Sequence, residues 1–81
     1  MNVHLQFFSR LRDLAGVSEM EVELPAGSTS ADLLEIIYLR TPALREWDKS
    51  ILVAAGLEFV GRGYILQPDD QISIMPPVQG G

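Results

Sequence analysis

The last seven residues, Met75-Pro76-Pro77-Val78-Gln79-Gly80-Gly81, carry the group in this sequence best suited to covalent chemistry, a carboxylate behind two glycines. A carboxylate is a poor electrophile. Joining it to AMP makes an acyl adenylate with a good leaving group. A sulfur donor that displaces AMP leaves a thiocarboxylate, –COSH, whereas an amine or thiol attacking instead gives a conjugate. Either outcome needs only Gly81 from this chain. Gly80 and Gly81 lack a Cβ, so they can follow a narrow channel to a partner's catalytic groups. Pro76 and Pro77 favour an extended backbone and offer no N–H for further pairing, so they project the end as a stiff arm. Val78 adds one apolar anchor. A glycine pair alone fits a frayed end equally well, but a frayed end has no need of the two prolines.

The remaining chemistry-bearing residues are sparse. There is no cysteine, which removes disulfides, thiolate nucleophiles, cysteine-based metal sites and a persulfide on this chain. His4 falls on the polar side of an alternating stretch, with no second ligand near it in sequence, and reads as a surface histidine. Lys49, the single lysine, is given no chemistry. Trp47 reads as local packing, and Glu19, Glu21 and Glu23 as one solvated strand face. No catalytic residue and no metal site is expected.

Eleven acidic residues against six basic ones give a net charge of −5. Such a surface repels phosphate backbones, which argues against nucleic-acid binding, and it can be steered towards a basic partner. No apolar run approaches the ~20 residues of a membrane span. The start, "MNVHLQFF", lacks the basic residues and cleavage site of a signal peptide. The expectation is a cytoplasmic chain with no membrane association.

The elements that must position the tail can be read from periodicity. "NVHLQFF" alternates, with Val3, Leu5 and Phe7 on one face and His4, Gln6 and Phe8 on the other. "SRLRDLAG" has helical spacing at Leu11, Leu14 and Ala15, with Gly16 placed to end it. "EMEVELP" alternates again, and its short connection to the first strand predicts an antiparallel pair. "GSTSADLLEIIYLR" is the main helix, capped by Thr29 with Asp32 three residues on; Leu33, Leu34, Ile37 and Tyr38 form its apolar stripe. "TPALREWD" breaks at Pro42. "SILVAAG" suits a buried strand, "LEFVGRGYIL" short or bent edge strands, "QPDD" a turn and "QISIM" the last strand. The order β-β-α-β-(β)-β requires the helix to cover one face of a mixed sheet. This is an α+β, β-grasp (ubiquitin-like) layout: a domain over residues 1–75 and an extended, flexible Pro-Pro-Val-Gln-Gly-Gly tail over residues 76–81.

With these elements in place, the sequence resembles the small, sulfur-carrying subunit of molybdopterin synthase, the MoaD type, within the β-grasp sulfur-carrier and ubiquitin-like group. "LQFFSRLRDLAG" is similar to that family's first strand and short helix, and "QPDDQISIMPPVQGG" to its acidic turn, last strand and Pro-Pro-Val-x-Gly-Gly tail. The resemblance implies that an adenylyltransferase related to ubiquitin activators, using ATP, adenylates Gly81, and that a sulfur donor such as a cysteine desulfurase system loads it as a thiocarboxylate. The tail, through Pro76, Pro77, Val78 and Gly80, would then enter the large, catalytic synthase subunit of a heterotetramer. Sulfur would pass there to precursor Z (cyclic pyranopterin monophosphate) to form the molybdopterin dithiolene. No cofactor is expected on this chain alone. Two departures stand out: Gly56 where family members often carry asparagine, and Met75 where an aromatic is common. Carriers for thiazole or thionucleoside synthesis, and ubiquitin-like modifiers, share the glycine pair and remain alternatives, as does a plain binding module.

Phe8 and Met75 point away from the buried faces of their strands, which predicts apolar groups on the wet side of the sheet and hence a partner surface. The competing expectation is that the Ser9–Gly16 helix or Phe59 covers them. By resemblance, Phe8 and Met75 match positions that meet the large subunit and the activator, and Arg12 matches an arginine of the first helix that would add a polar rim contact; a solvated arginine is the competing expectation for Arg12.

Overall fold

Alternation makes the strands. In β1 (Asn2–Phe7), Val3, Leu5 and Phe7 are buried while Asn2 is exposed and His4 and Gln6 are half-buried. In β5 (Gln71–Met75), Ile72 and Ile74 are buried and Ser73 and Met75 face the other side. Between them the chain forms α1 (Ser9–Ala15), β2 (Glu19–Glu23), α2 (Ser30–Arg40), a 3₁₀ helix (Pro42–Ser50), β3 (Leu52–Ala55) and β4 (Glu58–Val60). This computed structural model describes residues 1–77. The expectations for Val78, Gly80, Gly81 and a flexible tail lie outside the described residues.

The five strands form one sheet in the order β2-β1-β5-β3-β4. β1 is antiparallel to β2, as its short connection requires, and parallel to β5. β3 is antiparallel to both β4 and β5. A parallel pair cannot be joined by a tight turn, and the long path from β1 to β5 includes α2. That helix buries Leu33, Leu34, Ile37 and Tyr38 in one core with Val3, Leu5, Phe7, Leu11, Val22, Val53, Ile72 and Ile74. Burying each large aliphatic side chain is worth ~1.5–3 kcal/mol, so this stripe holds the helix to the sheet.

α2 begins on a complete capping box. The Asp32 N–H donates to Thr29 Oγ1 (3.3 Å) and the Thr29 N–H donates to Asp32 Oδ2 (2.9 Å). The next free donors are met from the loop after β4: Ser30 N–H reaches the Tyr64 carbonyl (2.9 Å) and Ala31 N–H the Arg62 carbonyl (3.0 Å). The helix N-terminus is thereby spent on the fold.

The region after Pro42, where the helical pattern breaks, is a 3₁₀ helix tied down by side chains. Tyr38 O–H donates to Asp48 Oδ1 (2.5 Å), and Arg62 donates to the same oxygen (2.9 Å) and to the carbonyls of Asp48 (2.5 Å) and Ile51 (3.1 Å). These bonds, Tyr38's first and Arg62's second, hold the Asp48 carboxyl below its usual range. Burial, and then the bond to Asp48, pushes the Tyr38 phenol up. Trp47 is half-buried against the core, in keeping with a packing role.

The turn between β3 and β4 is Gly56-Leu57, with Gly56 at φ 60°. This left-handed region suits glycine and, next to it, asparagine. The exchange of asparagine for Gly56 therefore preserves the backbone that the hairpin requires. The QPDD turn is closed by Asp70 N–H to the Gln67 carbonyl (3.1 Å), and the Asp70 carboxylate accepts from Gln67 N–H (2.8 Å) and Tyr64 O–H (2.8 Å).

Candidate functional site: the open sheet face

α2 covers one face of the sheet; the other carries the even-numbered side chains of β1 and the odd-numbered ones of β2 and β5. Register sorts this face into rows. Glu19, Gln6, Ser73, Ala54 and Phe59 stand opposite one another across all five strands. One step towards the end of β5, Met75 is opposite Leu52. The ladders continue past the end of β1, with Phe7 N–H donating to the Ser18 carbonyl (2.8 Å) and Phe8 N–H to the Ile74 carbonyl (3.1 Å). Carrying the β1–β5 register one pair further puts Phe8 beside Met75, and carrying the β1–β2 register two pairs further puts Val17 beside Phe8.

The result is an apolar row, Val17–Phe8–Met75–Leu52, at the end of the sheet where the chain passes from Met75 into Pro76. Phe8 is 43% exposed, Val17 42% and Leu52 37%, and Met75 is half-buried. Phe59, in the adjacent row, is 69% exposed. It therefore does not cover Phe8 and Met75 but extends their patch, and α1 leaves Phe8 open as well. The expected apolar surface exists and is larger than Phe8 and Met75 alone.

The opposite corner of the face is acidic. His4 lies between two glutamates of β2, with Nδ1 2.8 Å from Glu21 Oε1 and Nε2 3.4 Å from Glu19 Oε1. Histidine and glutamates were each readable as surface groups; strand pairing brings them together. The face thus runs from carboxylates along β2 to apolar groups near the tail.

Arg12 is exposed on α1, and its carbonyl accepts the N–H of Gly16, whose φ of 78° ends the helix as expected. Arg12 has no ion-pair partner among the described residues. Pro76 and Pro77 are half-buried beyond β5. Val17 and Leu52 were missed by the sequence reading, and Phe59 was raised there only as a cover for Phe8 and Met75. Val17 lies in a connection, Leu52 in an apolar run that reads as wholly buried, and Phe59 on a short edge; only the pairing register puts Val17 and Leu52 in the row of Met75 and Phe59 in the row next to it. Among the described residues no helix is long and apolar enough to cross a membrane.

A mixed five-stranded sheet with one covering helix and an apolar open face defines a β-grasp protein of the ubiquitin-like kind. The ThiS family model matches residues 5–81, and the chain belongs to that family. It is 31% identical over 81 residues to the molybdopterin synthase sulfur carrier subunit of Arabidopsis thaliana, an alignment covering 100% of this chain and 84% of the relative. Among solved structures it is similar to a Pyrococcus furiosus protein assigned as molybdopterin converting factor, subunit 1, with a TM-score of 0.87 and 32% identity over 96% of this chain and 99% of the other. SAMP1, small archaeal modifier protein 1, of Haloferax volcanii superposes with a TM-score of 0.86 at 26% identity, over 100% of both chains.

Proposed function

We propose that this chain is the sulfur-carrier subunit of a molybdopterin synthase. One observation carries the reading: the apolar row of the open face includes Met75, the residue that leads into Pro76-Pro77-Val78-Gln79-Gly80-Gly81. A partner seated on that row receives the tail beside it. The likeness to the plant sulfur carrier subunit, which runs along all of this chain, supports the same role. The chain supplies a docking face and a carboxylate, while catalysis belongs to the large subunit. Phe8, Met75, Leu52 and Phe59 form the apolar contact, Arg12 the polar rim, and Pro76, Pro77, Val78 and Gly80 guide the end inward.

In the proposed cycle, a Gly81 carboxylate oxygen attacks the α-phosphate of ATP on an adenylyltransferase and pyrophosphate leaves. A donor persulfide then displaces AMP, and reductive cleavage of the resulting acyl disulfide by a thiol leaves the thiocarboxylate. On the large subunit its sulfur goes to precursor Z, and water returns the carboxylate. The similarity to SAMP1 favours one second reading, in which an amine takes the acyl group and the chain becomes a protein modifier.

The test is at Gly81. Deleting it, or adding one residue after it, leaves thermal unfolding unchanged and abolishes adenylation, thiocarboxylate formation and molybdopterin synthesis in a complementation assay. A variant lacking Gly81 that still supports molybdopterin synthesis contradicts the reading.

A further inference from the structure

Phe8 and Arg12 sit on different elements, and a single residue sets the angle between them. Phe8 is extended, at φ −119° and ψ 150°, and its N–H is still held by the Ile74 carbonyl of the sheet. Arg12 is on α1. Ser9, the first residue of α1 and the one that follows the strand ladder, stands at φ 52°. This is a left-handed conformation that glycine adopts freely and other residues rarely do. The turn closes at once: Leu11 N–H returns to the Phe8 carbonyl (3.1 Å), and the Leu11 side chain is fully buried. The sheet on one side and the Leu11 anchor on the other thus hold a conformation that serine does not favour. Backbone outliers persist where the surroundings over-determine them, and they cluster at ligand clamps and switch regions.

We infer that Ser9 is a positioning residue for partner docking: its left-handed backbone turns the chain from strand to helix in one step and fixes Phe8 and Arg12 in a single relative geometry. The inference rests on the reading of the open face as the docking face. It concerns the Ser9 backbone and not its hydroxyl, so substitutions divide by conformation. Glycine and asparagine keep the left-handed turn. The β-branched residues threonine and valine oppose it, although threonine retains the hydroxyl.

Two measurements on Ser9→Gly, Ser9→Asn, Ser9→Thr and Ser9→Val separate the possibilities. Residual dipolar couplings on the free proteins give the orientation of α1 against the sheet. Titration with the large molybdopterin synthase subunit gives affinity. The glycine and asparagine variants are expected to keep both the wild-type orientation and affinity. The threonine variant, and the valine variant where it folds, are expected to turn α1 and bind at least about tenfold more weakly. Wild-type orientation and affinity in Ser9→Thr overturn the inference. So does an equal loss of affinity in Ser9→Gly and Ser9→Thr, which assigns the effect to the side chain. If wild-type protein does not bind the large subunit, the docking reading fails, and the dipolar couplings still decide whether Ser9 sets the angle of α1.

Discussion

Leu52 and Met75 are opposite each other across β3 and β5, with both side chains on the open face, and Met75 is the last sheet residue before Pro76. Antiparallel partners bring their Cβ atoms within ~5 Å, so an apolar neighbour fixes the point from which the tail departs. Neither residue belongs to the core cluster beneath α2. Changing Leu52 or Met75 to aspartate should therefore spare folding and weaken binding of the large subunit. The same holds for Phe8→Asp. A buried interface anchor costs ~2 kcal/mol or more on truncation, roughly thirtyfold in affinity. Unfolding and binding are to be measured on the same variants; unfolding without a selective loss of binding makes these residues core.

Gly56 tests whether the departure from asparagine matters. At φ 60°, and with no atom within 4 Å of an added Cβ, the site is limited by backbone conformation and not by space. Gly56→Asn is expected to unfold within a few tenths of a kcal/mol of wild type, and Gly56→Ala to lose ~1 kcal/mol. Chemical denaturation measures both. Equal losses would show that conformation does not govern the turn.

Asp48 gives the fold an acid-sensitive joint. Its carboxyl is held below the usual range by the Tyr38 hydroxyl first and Arg62 second. A folded pKa below the unfolded one means stabilisation that is present above the unfolded value, ~3.9, and is lost as pH falls through the folded value. In urea denaturation, the gap between wild type and Asp48→Asn should stay constant above about pH 5 and close in acid. Tyr38→Phe should move that closure to higher pH. A gap unchanged from neutral pH to pH 2 contradicts this account.

Periodicity exposed most of the fold because each core face repeats at its own period. Val3, Leu5 and Phe7 repeat every second residue, and Leu33, Leu34, Ile37 and Tyr38 follow the helical stripe. Thr29 and Asp32 marked the start of α2 because a capping box needs only four consecutive residues. Phe8 and Met75 were legible for the same reason: parity turned them outward. Val17 and Leu52 were not: Val17 lies outside the alternating stretches and reaches Phe8 only by extending the β1–β2 register, and Leu52 meets Met75 only by pairing between strands far apart in sequence. The His4–Glu21 contact and the Tyr38–Asp48–Arg62 bonds also join distant residues, and no local pattern encodes them. Ser9 gave no signal, since serine commonly opens a helix and its left-handed backbone arises only from the sheet and the buried Leu11 on either side.

The central claim concerns what happens to Gly81. A sulfur carrier gives up its sulfur and returns with a free carboxylate, because a pterin acceptor keeps only the sulfur; a modifier stays attached, because a lysine keeps the acyl group. Intact-protein mass spectrometry of the thiocarboxylated chain, mixed with the large synthase subunit and precursor Z, follows both outcomes. The account predicts that the chain returns to its unmodified mass as molybdopterin forms. Stable higher-mass conjugates through Gly81 with no pterin product, or sulfur release only with a thiazole-forming or thionucleoside-forming partner, would contradict it.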